Sequence, residues 1–280
     1  MARRIDTDAS LSAQQLEPSI FSPRAFLASL GLRFIGLLQL IGGIANLARK
    51  SVQCMFSRRL AVGEFVHQMA AIGNRSFSIV GVIAIFTGMV IALQLVVGLG
   101  RFGLKLYVGQ IVGLAIFREL GPVLTCLMIA ARVGSGISAE LGSMVVTEQV
   151  LAIEAMGANP IQKLVVPRLL AIMIAAPLLT VMADLIGLIG GGLITCAESG
   201  VTVSFYIDQL RNTVLLEDFF SGLCKSFFFG FFIVVIACYH GLQTQGGTEG
   251  VGRAATQTVV HASLTIVITD FLLTKVFLYF

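Results

Sequence analysis

Among the ionisable side chains that lie inside otherwise apolar stretches of this 280-residue chain, four are candidates for chemistry: Arg118 and Glu119 share one stretch, Lys225 lies in a later one, and Asp270 lies near the end. Charge is costly in an apolar stretch that crosses a membrane, so such residues usually face protein or water. Asp270 needs a partner of opposite charge, and Arg118 or Lys225 is predicted to be that partner. Two interpretations stay open, namely contact with a polar ligand along a path and an internal ion pair that locks helices together.

Arg118 also begins a regular spacing of polar residues. Thr125 and Arg132 follow it at successive intervals of seven residues. Seven residues are close to two turns of an α-helix, so the three side chains are predicted to form one polar stripe.

No catalytic or nucleotide-binding motif accompanies these residues. The sequence contains no GxxxxGK[ST] loop, no HExxH and no GxSxG. Its five cysteines form no CxxC pair and are interpreted as small apolar fillers, so neither a metal site nor a cofactor is expected in this chain. The basic residues are scattered instead of clustered, so nucleic-acid binding is not predicted.

The composition places the four charged residues in a membrane protein. Apolar side chains make up 56% of the chain and charged ones only 12%, too few charges to cover a soluble domain of this size. The apolar windows are continuous, as in helices, and do not alternate as in the strands of a β-barrel. We therefore predict an all-α membrane protein with five transmembrane helices, at about 77–99, 106–131, 169–197, 219–239 and 258–280.

The first part of the chain has a different character. Residues 1–24 are polar and are predicted to form a cytoplasmic tail before a permease domain at 25–280. Residues 25–47 are apolar but interrupted by an arginine. Lys and Arg concentrate in cytoplasmic loops, and they divide more unevenly between the two sides of the membrane if 25–47 does not cross it. We therefore predict that 25–47 is an amphipathic interfacial helix, that the N-terminus is cytoplasmic and that the C-terminus is periplasmic.

A short isolated helix is predicted at about 147–157, between the second and third windows. Thr147 is a favourable N-cap, Glu148 suits the first turn, and Gly157 can take the left-handed position after the last turn. Pro160 prevents the helix from continuing. This describes about three turns between two spans.

The short helix resembles the EAA-type loop of ABC importer permeases. The residues that carry the resemblance are Glu154, Ala155 and Gly157, followed by Pro167 ten residues after the glycine. In those proteins the helix docks on the ATPase, so the resemblance implies a coupling role for Glu148, Glu154, Ala155 and Gly157. An ordinary amphipathic connector between two spans is the other interpretation.

A longer resemblance covers about 25–280. Residues 117–168, which begin FRELGPVLTCLMIAARVGSG, and residues 250–274 are similar to the MlaE-type permeases of MCE lipid-transport ABC systems. The resemblance implies a homodimer in the bacterial inner membrane with cytoplasmic ATPase subunits that bind ATP and magnesium. It also implies MCE-domain subunits on the periplasmic side, and in some systems a STAS-domain protein.

The sequence thus leads to one preferred function and two alternatives. The preferred function is an ATP-driven phospholipid permease that exchanges lipid with a periplasmic carrier and so maintains outer-membrane lipid asymmetry. Its chain would not be an enzyme, and Arg118, Glu119, Lys225 and Asp270 would order the polar part of the path. The alternatives are an ion-coupled secondary transporter or channel, and an intramembrane lipid-modifying enzyme.

Overall fold

The computed structural model describes residues 23–57 and 62–279 of the chain, and this described part is all-α, without a strand. Its helices, in chain order, are α1 (Pro23–Ser57), α2 (Val62–Gly100), α3 (Lys105–Val146), α4 (Gln149–Ala155), α5 (Ile161–Ser199), α6 (Val203–Thr213), α7 (Leu216–Leu242) and α8 (Gly247–Tyr279). The predicted all-α class is confirmed.

Five of the described helices, α2, α3, α5, α7 and α8, are long and apolar enough to cross a membrane. Even the shortest of them, α7, has 27 residues, more than the ~20 that span the hydrocarbon core. The predicted number of five spans is therefore confirmed. The helices extend past the apolar windows, and α2 begins fifteen residues before its window.

Helix α1 contains the whole segment 25–47, for which an interfacial helix is predicted. It divides at Ala45: its first part belongs to one compact unit, and its remainder, from Asn46, belongs to the unit that holds the other helices. The tail predicted at 1–24 lies outside the described residues except for Pro23 and Arg24, which begin α1. The interfacial placement of 25–47 stays a prediction.

Helices α2 and α5 pack against each other through glycine. A methyl group added to Gly88 would lie 2.0 Å from the carbonyl oxygen of Gly187, and one added to Gly190 would lie 2.3 Å from the carbonyl oxygen of Ile85. Small residues let membrane helices approach this closely. Because these contacts lie within one chain, the small-residue stripe of α5 is used to assemble the subunit itself.

Helix α6 packs on the first turns of α3 and leads directly into α7. A methyl group added to Gly109 of α3 would lie 2.6 Å from Gln209 Oε1, so the two helices are in close contact there. Burial raises the pKa of Tyr206, and its neutral hydroxyl donates a hydrogen bond to the carbonyl oxygen of Leu188 (3.1 Å). After α6 the backbone is extended at Val214 and helical again from Leu216. This break sets the start of α7 beside Phe117 and Arg118 of α3.

The short connecting helix is present but shorter than predicted. Helix α4 spans seven residues, about two turns. Thr147 is not its N-cap: the Thr147 hydroxyl donates to the carbonyl oxygen of Ser143 (2.8 Å), so this residue ends α3. Glu148 then takes a left-handed conformation with φ of 59°, which turns the chain before α4 begins. Gly157 has the predicted left-handed conformation, with φ of 76°.

Candidate functional site

A cavity of about 610 Å³ opens between α3, α7 and α8. Charged residues from α3 and from the start of α7 line it, together with polar and aromatic residues from α7 and α8. The lining residues are Arg118, Glu119, Glu217, Asp218, Phe220, Ser221, Cys224, Lys225, Thr274 and Phe277. The cavity is therefore a charged space within the membrane-spanning part of the chain.

Lys225 is the centre of the cluster, and its side chain is 1% exposed. Its ammonium donates hydrogen bonds to Glu119 Oε2 (2.8 Å), to Thr274 Oγ1 (2.7 Å) and to the carbonyl oxygen of Arg118 (2.9 Å). These acceptors use all three of its protons. Asp270 Oδ1 lies 3.1 Å from the same nitrogen and forms an ion pair without hydrogen-bond alignment.

Pro122 explains why a backbone carbonyl of α3 is free to bind this lysine. Proline has no N–H, so within a helix the carbonyl oxygen four residues earlier, that of Arg118, loses its usual donor. Residues 116–120 form a π-helical turn at the same place, closed by a hydrogen bond from the Gly121 amide to the carbonyl oxygen of Ile116. Irregular turns of this kind are common at functional sites, and here the turn exposes the oxygen that Lys225 binds.

Arg118 has a separate partner at the beginning of α7. Its Nε donates a hydrogen bond to Asp218 Oδ1, and its Nη2 forms an ion pair with the same oxygen. Asp218 Oδ2 accepts the backbone N–H of Leu215 (2.9 Å), so this carboxylate also caps the first turn of α7. The break between α6 and α7 thus places a buried carboxylate against the arginine of α3.

The structure brings the four charged residues that the sequence singled out into one cluster: Arg118, Glu119 and Lys225 line the cavity, and Asp270 pairs with Lys225. Of the two partners proposed for Asp270, the structure shows Lys225 and not Arg118. Asp218 was missed because it stands in the polar segment before the fourth window, where acidic residues usually face water. Its position three residues after the cap of a helix was the available signal.

The predicted polar stripe of Arg118, Thr125 and Arg132 is wrong. A second π-helical turn at 130–134 follows the one at 116–120, and each adds a residue that shifts the helical register. Thr125 is 2% exposed and lines a different, small cavity of about 20 Å³ beside Thr87 of α2. Arg118 alone of the three lines the large cavity.

The residues predicted to couple to an ATPase lie at a distant place, around α4. Glu148, Glu154, Ala155 and Gly157 are all exposed. About thirty residues of helix separate Arg118 from Glu148, a path of roughly 40 Å. The coupling residues and the cavity residues therefore form two separate regions.

Helix α4 is anchored on one side only. Ile153 is buried, whereas Leu151 is 60% and Met156 is 72% exposed. Beside α4, Arg168 of α5 holds Glu140 of α3 (2.7 Å) and the carbonyl oxygen of Leu164 (2.7 Å). The spans next to α4 are thus tied together while the outer face of α4 remains open.

The described residues contain no group of three or more His, Cys, Asp or Glu side chains placed to hold a metal ion. In the cavity, the carboxylate of Glu119 pairs with the amine of Lys225, and that of Asp218 pairs with the guanidinium of Arg118. Its chemistry is that of ion pairs and hydrogen bonds.

Comparison with known proteins gives a consistent set of relatives. The family model "Permease MlaE" matches residues 65–276. A "Probable ABC transporter permease protein" of Rickettsia felis is 37% identical over 249 residues, which are 89% of this chain and 96% of the relative. The "Intermembrane phospholipid transport system permease protein MlaE" of Haemophilus influenzae is 34% identical over 75% of this chain and 81% of its own length. The chloroplastic protein TRIGALACTOSYLDIACYLGLYCEROL 1 of Arabidopsis thaliana is 36% identical over 76% of this chain and 61% of its own length.

Proposed function

This chain belongs to the MlaE permease family, and from that premise we propose that it moves phospholipids between the inner membrane and a periplasmic MCE-type carrier. It is a multi-pass membrane subunit, and ATP hydrolysis is assigned to a separate ATPase. In the proposed orientation the N-terminus and α4 are cytoplasmic, and the C-terminus is periplasmic. The proposed assembly is a homodimer with ATPase and MCE-domain subunits, and with a STAS-domain protein in some systems.

The observation that carries the proposal is a charged cavity set among apolar, exposed helix faces. A phospholipid is an amphiphile, so its path through a membrane protein needs polar groups for the headgroup and apolar surface for the acyl chains. Arg118 and Glu119 supply polar groups that are still 45% and 38% exposed. Phe220, which is 62% exposed, supplies apolar surface at the cavity itself.

The acyl chains are assigned to the outward faces of α2 and α8. In α8 the exposed apolar side chains include Leu264, Val267 and Phe271, and Phe271 directly follows Asp270 of the charged cluster. In α2 they include Val82 and Phe86. A lipid whose headgroup enters the cavity would then keep its chains on apolar surface.

Helix α4 is assigned to transmit the motion of the ATPase. Its outer face combines the Glu154 carboxylate with the exposed side chains of Leu151 and Met156. An exposed apolar patch with a polar margin is typical of a docking surface. Because Arg168 ties α3 to α5 beside α4, a push on α4 would reach both spans.

The test is ATP-dependent lipid transfer by the complete complex reconstituted in proteoliposomes. We expect transfer that requires ATP and that falls at least about tenfold in Arg118→Ala, the loss of a charge-assisted contact of roughly 1.4 kcal/mol or more. Arg253→Ala is the control, since this arginine pairs with Glu249 on an exposed helix face. Transfer driven by an ion gradient without ATP would overturn the proposal in favour of a secondary transporter. Covalently altered lipid would overturn it in favour of an enzyme.

A further inference from the structure

We infer that the cavity prefers a zwitterionic phospholipid with a primary ammonium over an anionic phospholipid. This inference rests on the proposed function, because it takes the cavity as the headgroup site. It depends on which charged groups of the cavity are still available to a ligand, and on the sign of the net charge of those groups.

Lys225 is unavailable to a headgroup phosphate, although it is the cation at the centre of the cluster. Its side chain is 1% exposed, and its three protons are already donated to Glu119, Thr274 and the Arg118 carbonyl. A phosphate would have to displace a carboxylate from it. Lys225 therefore acts as an internal counter-ion.

Arg118 is the cation that a phosphate can reach. Its side chain is 45% exposed, whereas its partner Asp218 is 3% exposed. Nε donates a hydrogen bond to Asp218 and Nη2 forms the ion pair with the same carboxylate oxygen, which leaves at least the two N–H groups of Nη1 for a ligand. Arginine presents these groups in the planar geometry that suits a phosphate.

Two carboxylates line the same cavity as this arginine and have surface open to a ligand. Glu119, adjacent in the sequence, is 38% exposed, and Glu217 at the start of α7 is exposed and lines the same cavity. A primary ammonium carries three donors and can bond both carboxylates, whereas a quaternary ammonium has no N–H to donate. The reachable groups are thus one cation and two anions.

The formal charges of the whole cluster also disfavour an anionic headgroup. Arg118 and Lys225 are opposed by four carboxylates, those of Glu119, Glu217, Asp218 and Asp270. An anionic headgroup would add a further negative charge to a site that already has an excess of them, while a zwitterion adds none. The phosphate would bind Arg118, and the ammonium would bind Glu119 and Glu217.

The test measures which lipid the full-length chain retains. The purified chain is placed in nanodiscs of equal phosphatidylethanolamine, phosphatidylglycerol and phosphatidylcholine, then transferred to detergent, and the bound lipid is identified by native mass spectrometry. We expect phosphatidylethanolamine to be retained about fivefold over phosphatidylglycerol, the scale of one like-charge contact near a protein surface. We also expect it to be retained over phosphatidylcholine, which cannot donate to the carboxylates.

Glu217→Gln should lower the preference for phosphatidylethanolamine over phosphatidylglycerol to about twofold or less, because it removes one anion from an exposed position without disturbing a buried pair. Asp208→Asn is the matched control: it removes an exposed carboxylate from α6, outside the cavity, and should leave the preference unchanged. Equal retention of the two lipids by the unmodified chain, or an unchanged preference in Glu217→Gln, would overturn the inference. Failure of the proposed function gives a different result, in which Arg118→Ala retains as much total lipid as the unmodified chain.

Discussion

The charged cavity and helix α4 differ in how their polar groups are satisfied: those of the cavity are paired within the chain, and those of α4 are exposed. In the cavity, the Lys225 ammonium is saturated and Asp218 accepts from both Arg118 and the backbone of Leu215. On α4, Glu154 is exposed and so are the apolar neighbours Leu151 and Met156. The first region is organised within the chain, as charges inside a membrane must be. The second presents a surface that a protein partner could cover.

The largest expected effect is in the cavity, from Lys225→Met. The change leaves the partly buried carboxylates of Glu119 and Asp270 without their cation, so the free energy of unfolding should fall by about 3 kcal/mol. The measurement is thermal unfolding of the purified full-length chain in detergent. Lys275→Met, which removes an exposed lysine of α8, is the control and should change stability by less than about 0.5 kcal/mol.

A combined variant separates the charge from the shape of the cluster. Lys225→Met together with Glu119→Gln and Asp270→Asn should recover most of the lost stability, because the two carboxylates no longer need a cation. A Lys225→Met protein as stable as the unmodified chain would show that the cluster is not organised by internal ion pairs, and the contrast with α4 would disappear.

Arg118→Ala should have a smaller effect on stability. Its guanidinium is 45% exposed, so water already screens part of its attraction to Asp218. Asp218 keeps its bond from the Leu215 amide, and the expected loss is about 1–2 kcal/mol. Thermal unfolding is again the measurement. The control is Arg253→Ala, which breaks an exposed ion pair and should lower the free energy of unfolding by about 0.5 kcal/mol or less. A loss as large as that of Lys225→Met would mean that Arg118 is also a buried structural group and not a reachable one.

Gly157→Ala tests the end of α4, and its expected cost is about 1 kcal/mol, because an alanine is strained at φ of 76°. Gly136→Ala is a matched control that should change the free energy of unfolding in the opposite direction. Gly136 is exposed within α3 with free space around it, so alanine should stabilise the helix by up to about 1 kcal/mol. Equal effects of the two changes on thermal unfolding would contradict the left-handed end of α4.

The smallest effect on stability should come from Leu151→Ala on the outer face of α4. This side chain is 60% exposed, so unfolding should shift by less than about 0.5 kcal/mol. Binding of the ATPase, measured by co-purification at increasing salt and dilution, should nevertheless weaken. Leu193→Ala removes an equally exposed leucine from α5 and should leave ATPase binding unchanged. Equal ATPase binding by the two variants would contradict α4 as a docking surface.

Much of this contrast could be predicted from the sequence, because charge is conspicuous in an apolar window. Because charged residues are rare there, the sequence singled out Arg118, Glu119, Lys225 and Asp270. The structure gathers these four into one cluster at the cavity, with Asp270 paired to Lys225. Asp218 was not predicted as a site residue because it lies just before the fourth apolar window, among residues that resemble an ordinary polar loop. Its role depends on the break between α6 and α7, and that break is a tertiary feature.

Two local expectations failed for a common reason, since both assumed an ordinary α-helix. The stripe through Thr125 needed a constant register, which the π-helical turns of α3 remove. Thr147 has good N-cap chemistry, but its hydroxyl binds the helix before it instead of the one after it. Pro122 was visible in the sequence, yet its effect on Lys225 needed the position of α7.

Photo-crosslinking with a phosphatidylethanolamine that carries a photoreactive group on its headgroup tests the central claim most directly. The complete complex is illuminated in proteoliposomes, and the labelled peptides are identified by mass spectrometry. If the cavity holds the headgroup, label will appear on residues 217–225 and 270–277 and will be reduced in Arg118→Ala. Label confined to outward apolar positions such as Leu264 and Val267, with no change in Arg118→Ala, would contradict the account.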